Sequence, residues 1–299
     1  MSYPRWQGVF PAATTQLFED QSIDWKAQAT HLEALIDSGI HGLIMCGSLG
    51  ENQTLSPEEK REVVKHAIEV SAGRVPVLSG VAEMSTAAAS QYVQDLESMG
   101  AAGAMVLPAM VYKADPRETM YHFRTVAAAS KLPIIVYNNP VGYYVDITPK
   151  MLAELAEVEN LVAIKESSAD TTRITELYNA CGDRYAIFGG VDTLIPESVL
   201  LGATGWIAGV GLAFPKENAY LWDLMTAGEW DKVRAMWRWF LPLMTLDIGP
   251  HFVQKIKLVI QEAGLGNEWV RAPRLTLTGA EREETLALIH HGLANRPKL

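Results

Sequence analysis

Two cysteines, Cys46 and Cys181, are all that 299 residues supply. They cannot build a disulfide framework, and their spacing matches no zinc motif. Long apolar runs are missing as well: no stretch reaches the roughly 18 residues that a membrane-spanning helix needs. The opening Met1-Ser2-Tyr3-Pro4-Arg5-Trp6 has no basic segment followed by an apolar one, so no signal peptide is read there. A reducing, cytoplasmic setting is the expectation. Positive charge is in deficit: 25 Lys and Arg against 35 Asp and Glu leave a formal net charge of −10. That argues against nucleic acid or an anionic membrane surface as partner. It does not exclude an anionic small molecule, which a few local donors can hold. The seven histidines (His31, His41, His66, His122, His251, His290 and His291) fall mostly on helical patterns with no ligand spacing, so no catalytic metal is expected. No dinucleotide fingerprint and no P-loop lysine occur.

What the chain does have is an alternation. Gly8–Thr15 reads as a first strand. Gly42–Cys46, Pro76–Gly80, Ala104–Pro108, Pro133–Tyr137, Leu161–Lys165, Tyr185–Gly189 and Thr204–Gly209 read as seven more. Helical segments separate them, opened by cap signals such as Ser56-Pro57-Glu58-Glu59, Asp115-Pro116-Arg117-Glu118 and Thr148-Pro149. Strands that are short, apolar on both faces and separated by helices belong to a fully covered parallel sheet. Eight such units predict an α/β protein with a (β/α)8 TIM barrel; an open doubly wound sheet is the alternative. After about Met225 the strands stop. Trp230–Met244, His251–Ala263 and Glu281–Leu293 are helical in period. The predicted division is therefore a barrel over 1–226 and a C-terminal helical extension over 227–299. The aromatics Trp230, Trp237, Trp239 and Phe240 read as core or subunit-contact residues.

Two strands end on reactive groups. Pro133–Val136 runs into Tyr137, and Leu161–Ile164 runs into Lys165. In such a barrel the site lies at the C-terminal ends of the strands. A lysine there is costly to bury charged, so part of it is free amine near neutral pH, able to form a Schiff base with a ketone or imine. One β/α unit separates the two residues, which puts the Tyr137 phenol beside the amine as a proton relay. A Lys165–Glu166 ion pair is the blander possibility, but neighbours on a strand point to opposite faces. The Gly47-Ser48-Leu49-Gly50-Glu51 loop either offers N–H groups and a hydroxyl to a carboxylate or phosphate, or is a tight turn needing glycine for its backbone alone. Cys46 is read as a small buried hydrophobe. The Gly205–Gly211 glycines could hold a phosphate, and hence pyridoxal phosphate on Lys165, but no arginine or serine cluster supports that.

The Gly-Ser-Leu-Gly-Glu loop, the Tyr-Asn-Asn-Pro turn at 137–140, Ala163-Ile164-Lys165-Glu166 and the helical C-terminus together resemble the dihydrodipicolinate synthase / N-acetylneuraminate lyase family of lysine Schiff-base enzymes. The resemblance covers nearly the whole chain. It implies Lys165 as the Schiff-base lysine, with no other cofactor, and Tyr137 as its relay. It implies Ser48 and the Leu49 backbone as holders of a 2-oxo acid carboxylate, and Thr15, Gly190 and Ile207 near the pocket. It also implies a homotetramer, with Tyr112 as the residue nearest to a tyrosine lent across a subunit interface. Two departures stand out. Gly142 and Tyr143 follow Val141 where the synthases carry an arginine, and no arginine appears until Arg173. Met110-Val111-Tyr112 replaces a tyrosine pair. The Val141–Asp146 loop is more similar to members that deaminate 1-pyrroline-4-hydroxy-2-carboxylate in hydroxyproline degradation, which makes a cyclic imine carboxylate the expected substrate. A pyruvate-dependent aldolase or synthase is the alternative. A small-molecule sensor is the alternative of another class, although Lys165 and Tyr137 are both kept.

Overall fold

The computed structural model describes residues 3–109 and 111–299. Met1, Ser2 and Met110, named above, lie outside them. Eight parallel strands form the sheet: β1 (Gly8–Val9), β2 (Leu43–Met45), β3 (Val77–Val81), β4 (Gly103–Val106), β5 (Ile134–Asn138), β6 (Leu161–Glu166), β7 (Ala186–Gly189) and β8 (Gly205–Trp206). β1 pairs with β8, and the order then runs sequentially down to β2. A parallel bridge between Ala12 and Ile44 closes the ring between β1 and β2, with His41 N–H donating to the Val9 carbonyl at 2.8 Å. The fold is the (β/α)8 barrel that the alternation predicted. The first strand is shorter than the predicted Gly8–Thr15, because beyond Val9 the chain leaves regular pairing for single bridges.

The helices follow the cap signals. They are α1 (Trp25–Asp37), α2 (Pro57–Ser71), α3 (Thr86–Ser98), α4 (Pro116–Ala128), α5 (Pro140–Tyr143), α6 (Pro149–Glu154), α7 (Thr172–Cys181), α8 (Ile195–Leu200), α9 (Pro215–Thr226), α10 (Trp230–Met244), α11 (Phe252–Glu262) and α12 (Gly279–Ala294). Ser56 and Asp115 each close a full capping box, and both α2 and α4 begin with proline where its missing N–H costs nothing. α5 was not predicted. It is one turn made by Asn139, which accepts from Gly142 N–H at 2.8 Å, and by Pro140 at its first position.

Strands β2 to β5 are buried throughout, as helix-covered parallel strands must be. Phe10 and Phe188 meet edge to face inside the ring, with centroids 5.3 Å apart. Each such buried side chain contributes about 1.5–3 kcal/mol. The last three helices pack beside α9: Phe214 lies 5.8 Å from Phe240, Trp239 stacks on Phe240 at 4.8 Å, and Trp239 Nε1 donates to the Gly292 carbonyl. Among the described residues, no helix is long and apolar enough to cross a membrane, and no group of three or more His, Cys, Asp or Glu is placed to hold a metal ion.

Candidate active site

β5 and β6 pair so that Tyr137 stands directly opposite Lys165, and Lys165 opposite Phe188 of β7. Lys165 is 8% exposed and Tyr137 5%. The Lys165 ammonium lies 4.1 Å from the centroid of the Tyr137 ring, a contact that favours a cation against the ring face. Alternation sends Glu166 the other way. Its carboxylate accepts from Asn138 Nδ2 at 3.0 Å and from Ser168 N–H at 2.6 Å, and does not pair with Lys165.

Both groups open into a cavity of about 570 Å³ at the C-terminal ends of the strands. Of the residues expected there, Ser48, Leu49, Tyr137, Lys165, Gly190 and Ile207 line it. Two do not. Thr15 is buried behind the Gly47–Glu51 loop, its hydroxyl donating to the Gly50 carbonyl at 2.8 Å, so it braces the loop and does not face the cavity. Tyr112 is 61% exposed and lines a separate depression with Met84, Val111 and Tyr121. Its hydroxyl donates to Glu118 at 2.6 Å. Within one chain it does not reach Lys165. Cys46 is buried outside the cavity lining, and burial pushes its thiol up to about 12.

Backbone strain gathers here. Cys46, Glu51, Tyr144 and Ala169 all have positive φ without being glycine, and they bracket the Ser48 loop, α5 and the end of β6. Such conformations each cost about 1–3 kcal/mol and persist where the surroundings impose them. Gly190 shows how tight the floor is: a Cβ there would lie 2.1 Å from Ser167 Oγ and 2.7 Å from Lys165 Cε. Glycine is what leaves the lysine room to stand upright.

Four further cavity residues are Tyr143, Ser167, Asp192 and Asp247, of which the strand-end rule reaches only Asp192, as the end of the Gly189–Asp192 loop after the seventh strand. Tyr143 shares a short hydrogen bond with Ser48 Oγ and meets the Tyr137 ring edge-on at 5.6 Å. Ser167 Oγ is buried with no hydrogen-bond partner in the protein. Asp192 accepts from Trp206 Nε1 at 2.9 Å, Gly209 N–H at 3.1 Å and Val210 N–H at 2.8 Å. Those amides are the ones a phosphate at Gly205–Gly211 would need, so the carboxylate already occupies that position. Asp247 comes from the segment after α10 and sits against Gly209, where a Cβ would be 2.8 Å from its Oδ2.

Burial shapes the electrostatics. It lowers the pKa of Lys165, against the pull of Tyr143, Asp247 and Asp192, which favour the ammonium. It raises those of Tyr137 and Tyr143. It also raises Asp192, and holds Asp247 well above the usual carboxylate range, with the Asp192 charge adding to the effect. A buried amine with a lowered pKa beside a neutral phenol suits carbonyl chemistry at a covalent lysine.

The sequence profile of the dihydrodipicolinate synthetase family matches residues 5–292. The 4-hydroxy-tetrahydrodipicolinate synthase of Methanoculleus marisnigri is 30% identical over 96% of this chain and 99% of its own. The solved structure of the 4-hydroxy-tetrahydrodipicolinate synthase from Methylacidiphilum fumariolicum SolV superposes with a TM-score of 0.91 at 28% identity, covering 97% of this chain and 98% of that one. The chloride-inhibited dihydrodipicolinate synthase from Acinetobacter baumannii, solved in complex with pyruvate, gives 0.92 at 27% identity over 96% and 98%.

Proposed function

Because the chain belongs to the dihydrodipicolinate synthetase family, we propose that it holds pyruvate or a close 2-oxo acid as a Schiff base on Lys165 and makes or breaks a carbon–carbon bond beside it. Members of this family are class I lyases that use a protein lysine in place of an external cofactor, and this protein is an enzyme of that type. The observation that carries the reading is the register of β5 on β6, which sets the Tyr137 phenol beside the Lys165 amine. The free amine adds to the carbonyl, and Tyr137 moves the proton that lets the oxygen leave as water. Ser48 Oγ and the Leu49 N–H hold the carboxylate, on a loop braced by Thr15. The pyruvate complex of the Acinetobacter relative and the synthase names of the relatives support this reading over the deaminase that the Val141–Asp146 loop suggested.

One observation favours the deaminase as a second reading. Lys165 is the only cationic side chain lining the cavity among the described residues, so a second carboxylate has no guanidinium to meet. Gly142 stands at the arginine position, and Arg173 is engaged with Asp146 at 2.9 Å. On that reading the acid that protonates the leaving hydroxyl is Asp247, whose carboxyl burial holds well above the usual carboxylate range. On 1-pyrroline-4-hydroxy-2-carboxylate, Lys165 would exchange into the ring imine and the hydroxyl would leave. Water would then release the chain as 2-oxoglutarate semialdehyde, with net uptake of one water and loss of ammonia.

Borohydride trapping read by peptide mass separates the two. The expected result is a reduced pyruvate adduct on Lys165. Trapping from the pyrroline alone, with ammonia released on turnover, would transfer the assignment to the deaminase. No adduct on Lys165 from either would overturn the mechanism. We propose that the chain assembles as the homotetramer that the family resemblance implies. The exposed Met84, Val111, Tyr112 and Tyr121 support it as a face that a second copy can cover.

The electrostatics predict the pH profile. Only the free amine reacts, and burial lowers the Lys165 pKa, so kcat/KM is expected to rise with pH and level off below the ordinary lysine value of 10.5. Asp247 favours the ammonium. Asp247→Asn should therefore lower the lysine pKa further and move the rising limb to more acid pH. An unmoved limb would show that Asp247 carries no charge that Lys165 feels.

A further inference from the structure

We propose that Tyr143 is a second proton-carrying phenol of this site, supplied by the chain's own α5 turn, so that the proton path from Tyr137 is completed without a residue from another copy. The inference rests on the Schiff-base reading of Lys165.

The geometry gathers three hydroxyls at one wall of the cavity. Tyr143 Oη and Ser48 Oγ share a short hydrogen bond, and either can be the donor. The Tyr143 ring stands edge-on to the Tyr137 ring, 5.6 Å between centroids at 89°. Asn139, the N-cap of α5, donates from Nδ2 to Tyr137 Oη at 3.2 Å and accepts from Gly142 N–H, so one side chain fixes both the relay phenol and the turn that carries Tyr143. Tyr144 ends that turn at φ 62°, which pins Tyr143 inward while Tyr144 itself faces solvent, 72% exposed. A half-buried phenol whose hydroxyl is hydrogen-bonded to Ser48 has no structural need to be a phenol; a phenylalanine would pack as well.

The chemistry has a use for it. Lys165 must shed a proton from its ammonium to attack, and the carbinolamine that forms must gain one to lose its hydroxyl. The sum is Lys–NH3⁺ plus O=C giving Lys–NH⁺=C plus water, with no net proton gained or lost. A closed chain of hydroxyls that stores one proton and returns it therefore suffices. Tyr137 gives its proton to the departing hydroxyl, Tyr143 restores it, Ser48 restores Tyr143, and the proton that Lys165 sheds returns to Ser48 through water, so no hydroxyl is left ionised. Tyr143 also acts on Lys165 electrostatically, favouring the ammonium, which places the two groups within range of each other.

The test is Tyr143→Phe, with Tyr144→Phe as the neighbouring control. We expect Tyr143→Phe to lose about 10²-fold in kcat/KM, the lower end of what one acid–base group supplies. Its Tm should be unchanged, and borohydride should still give the Lys165 adduct, formed more slowly. The pH profile should change with it, because the proton must then come from solvent. Ser48→Ala combined with Tyr143→Phe should cost little more than the worse single change, as members of one proton path are not additive. Tyr144→Phe should match the parent enzyme. A Tyr143→Phe protein with full rate and an unaltered pH profile would overturn the proposal. So would a loss that appears in Tyr112→Phe in its place, since the proton would then come from a second copy. Failure of the parent enzyme to form any Lys165 adduct would instead sink the Schiff-base reading, so the two failures are told apart.

Discussion

Lys165→Met is expected to lose at least about 10⁴-fold in kcat/KM, on the scale seen when a covalent nucleophile is removed, and to give no borohydride adduct. The protein should remain folded and be at least as stable as the parent. Methionine has nearly the length and flexibility of the lysine stem, and it fits the slot that Gly190 leaves beside Cε. The sign of the stability change follows from the direction of the pKa. Burial lowers the folded-state value below 10.5, so the unfolded chain binds the proton more tightly. That costs stability fully below the folded-state pKa, and the cost disappears as pH rises through 10.5. Methionine removes it, so any gain in Tm should be largest at neutral pH and vanish in strong base. A variant that turns over would show that Lys165 does not carry the chemistry, and one that unfolds would show that it holds the barrel together.

That lysine was legible because it breaks a local rule: an apolar strand buried on both faces does not ordinarily end on an amine. The barrel was legible for a related reason, since helix-covered parallel strands must be apolar on both sides, and Ser56, Asp115 and Thr148 mark where helices begin. Tyr137 opposite Lys165 followed from one β/α unit of spacing, which the register of β5 on β6 bears out. What escaped was convergence. Tyr143 sits on a single turn too short to show periodicity, although Asn139-Pro140 is a helix start of the ordinary kind. Asp247 lies in a segment with no strand to aim it, and only the packing of α10 places it over Gly209. Thr15 and Tyr112 were assigned by resemblance to positions near the pocket. The first turns its hydroxyl to Gly50, and the second lies outside the cavity altogether.

The second large effect is on stability. Glu51 closes the Ser48 loop with positive φ, and both it and Lys257 of α11 are fully buried. Lys257 Nζ donates to Glu51 Oε1 at 2.7 Å, while Arg271 N–H donates to Oε2 at 2.9 Å. Removing one member of a buried pair leaves the other charge uncompensated, which costs about 3–5 kcal/mol. Arg271 N–H and Arg274, whose Nη1 is 3.7 Å from Glu51, remain to soften the loss. Lys257→Met is therefore expected near the lower end, about 3 kcal/mol, or roughly 5 °C in Tm for a chain of this size. KM for the 2-oxo acid should rise as well, because the loop carrying Ser48 loses its anchor. Lys257→Met with Glu51→Gln should recover part of the stability, since a neutral amide is cheaper to leave unpaired. If thermal denaturation shows the single variant unchanged, the Glu51–Lys257 contact does not anchor the loop.

The same contact has a consequence for the order in which the molecule is made. Glu51 and Lys257 are 206 positions apart, and synthesis at about 5–20 residues per second puts some ten seconds or more between them on the ribosome. Throughout that interval the Ser48 loop exists without its counter-charge, and Asp247 too has yet to emerge. A nascent chain can begin pairing its strands early, but it cannot present a finished pocket until α11 has been delivered. The Ser48 loop thus waits for its buried partner until the C-terminal helices have left the ribosome.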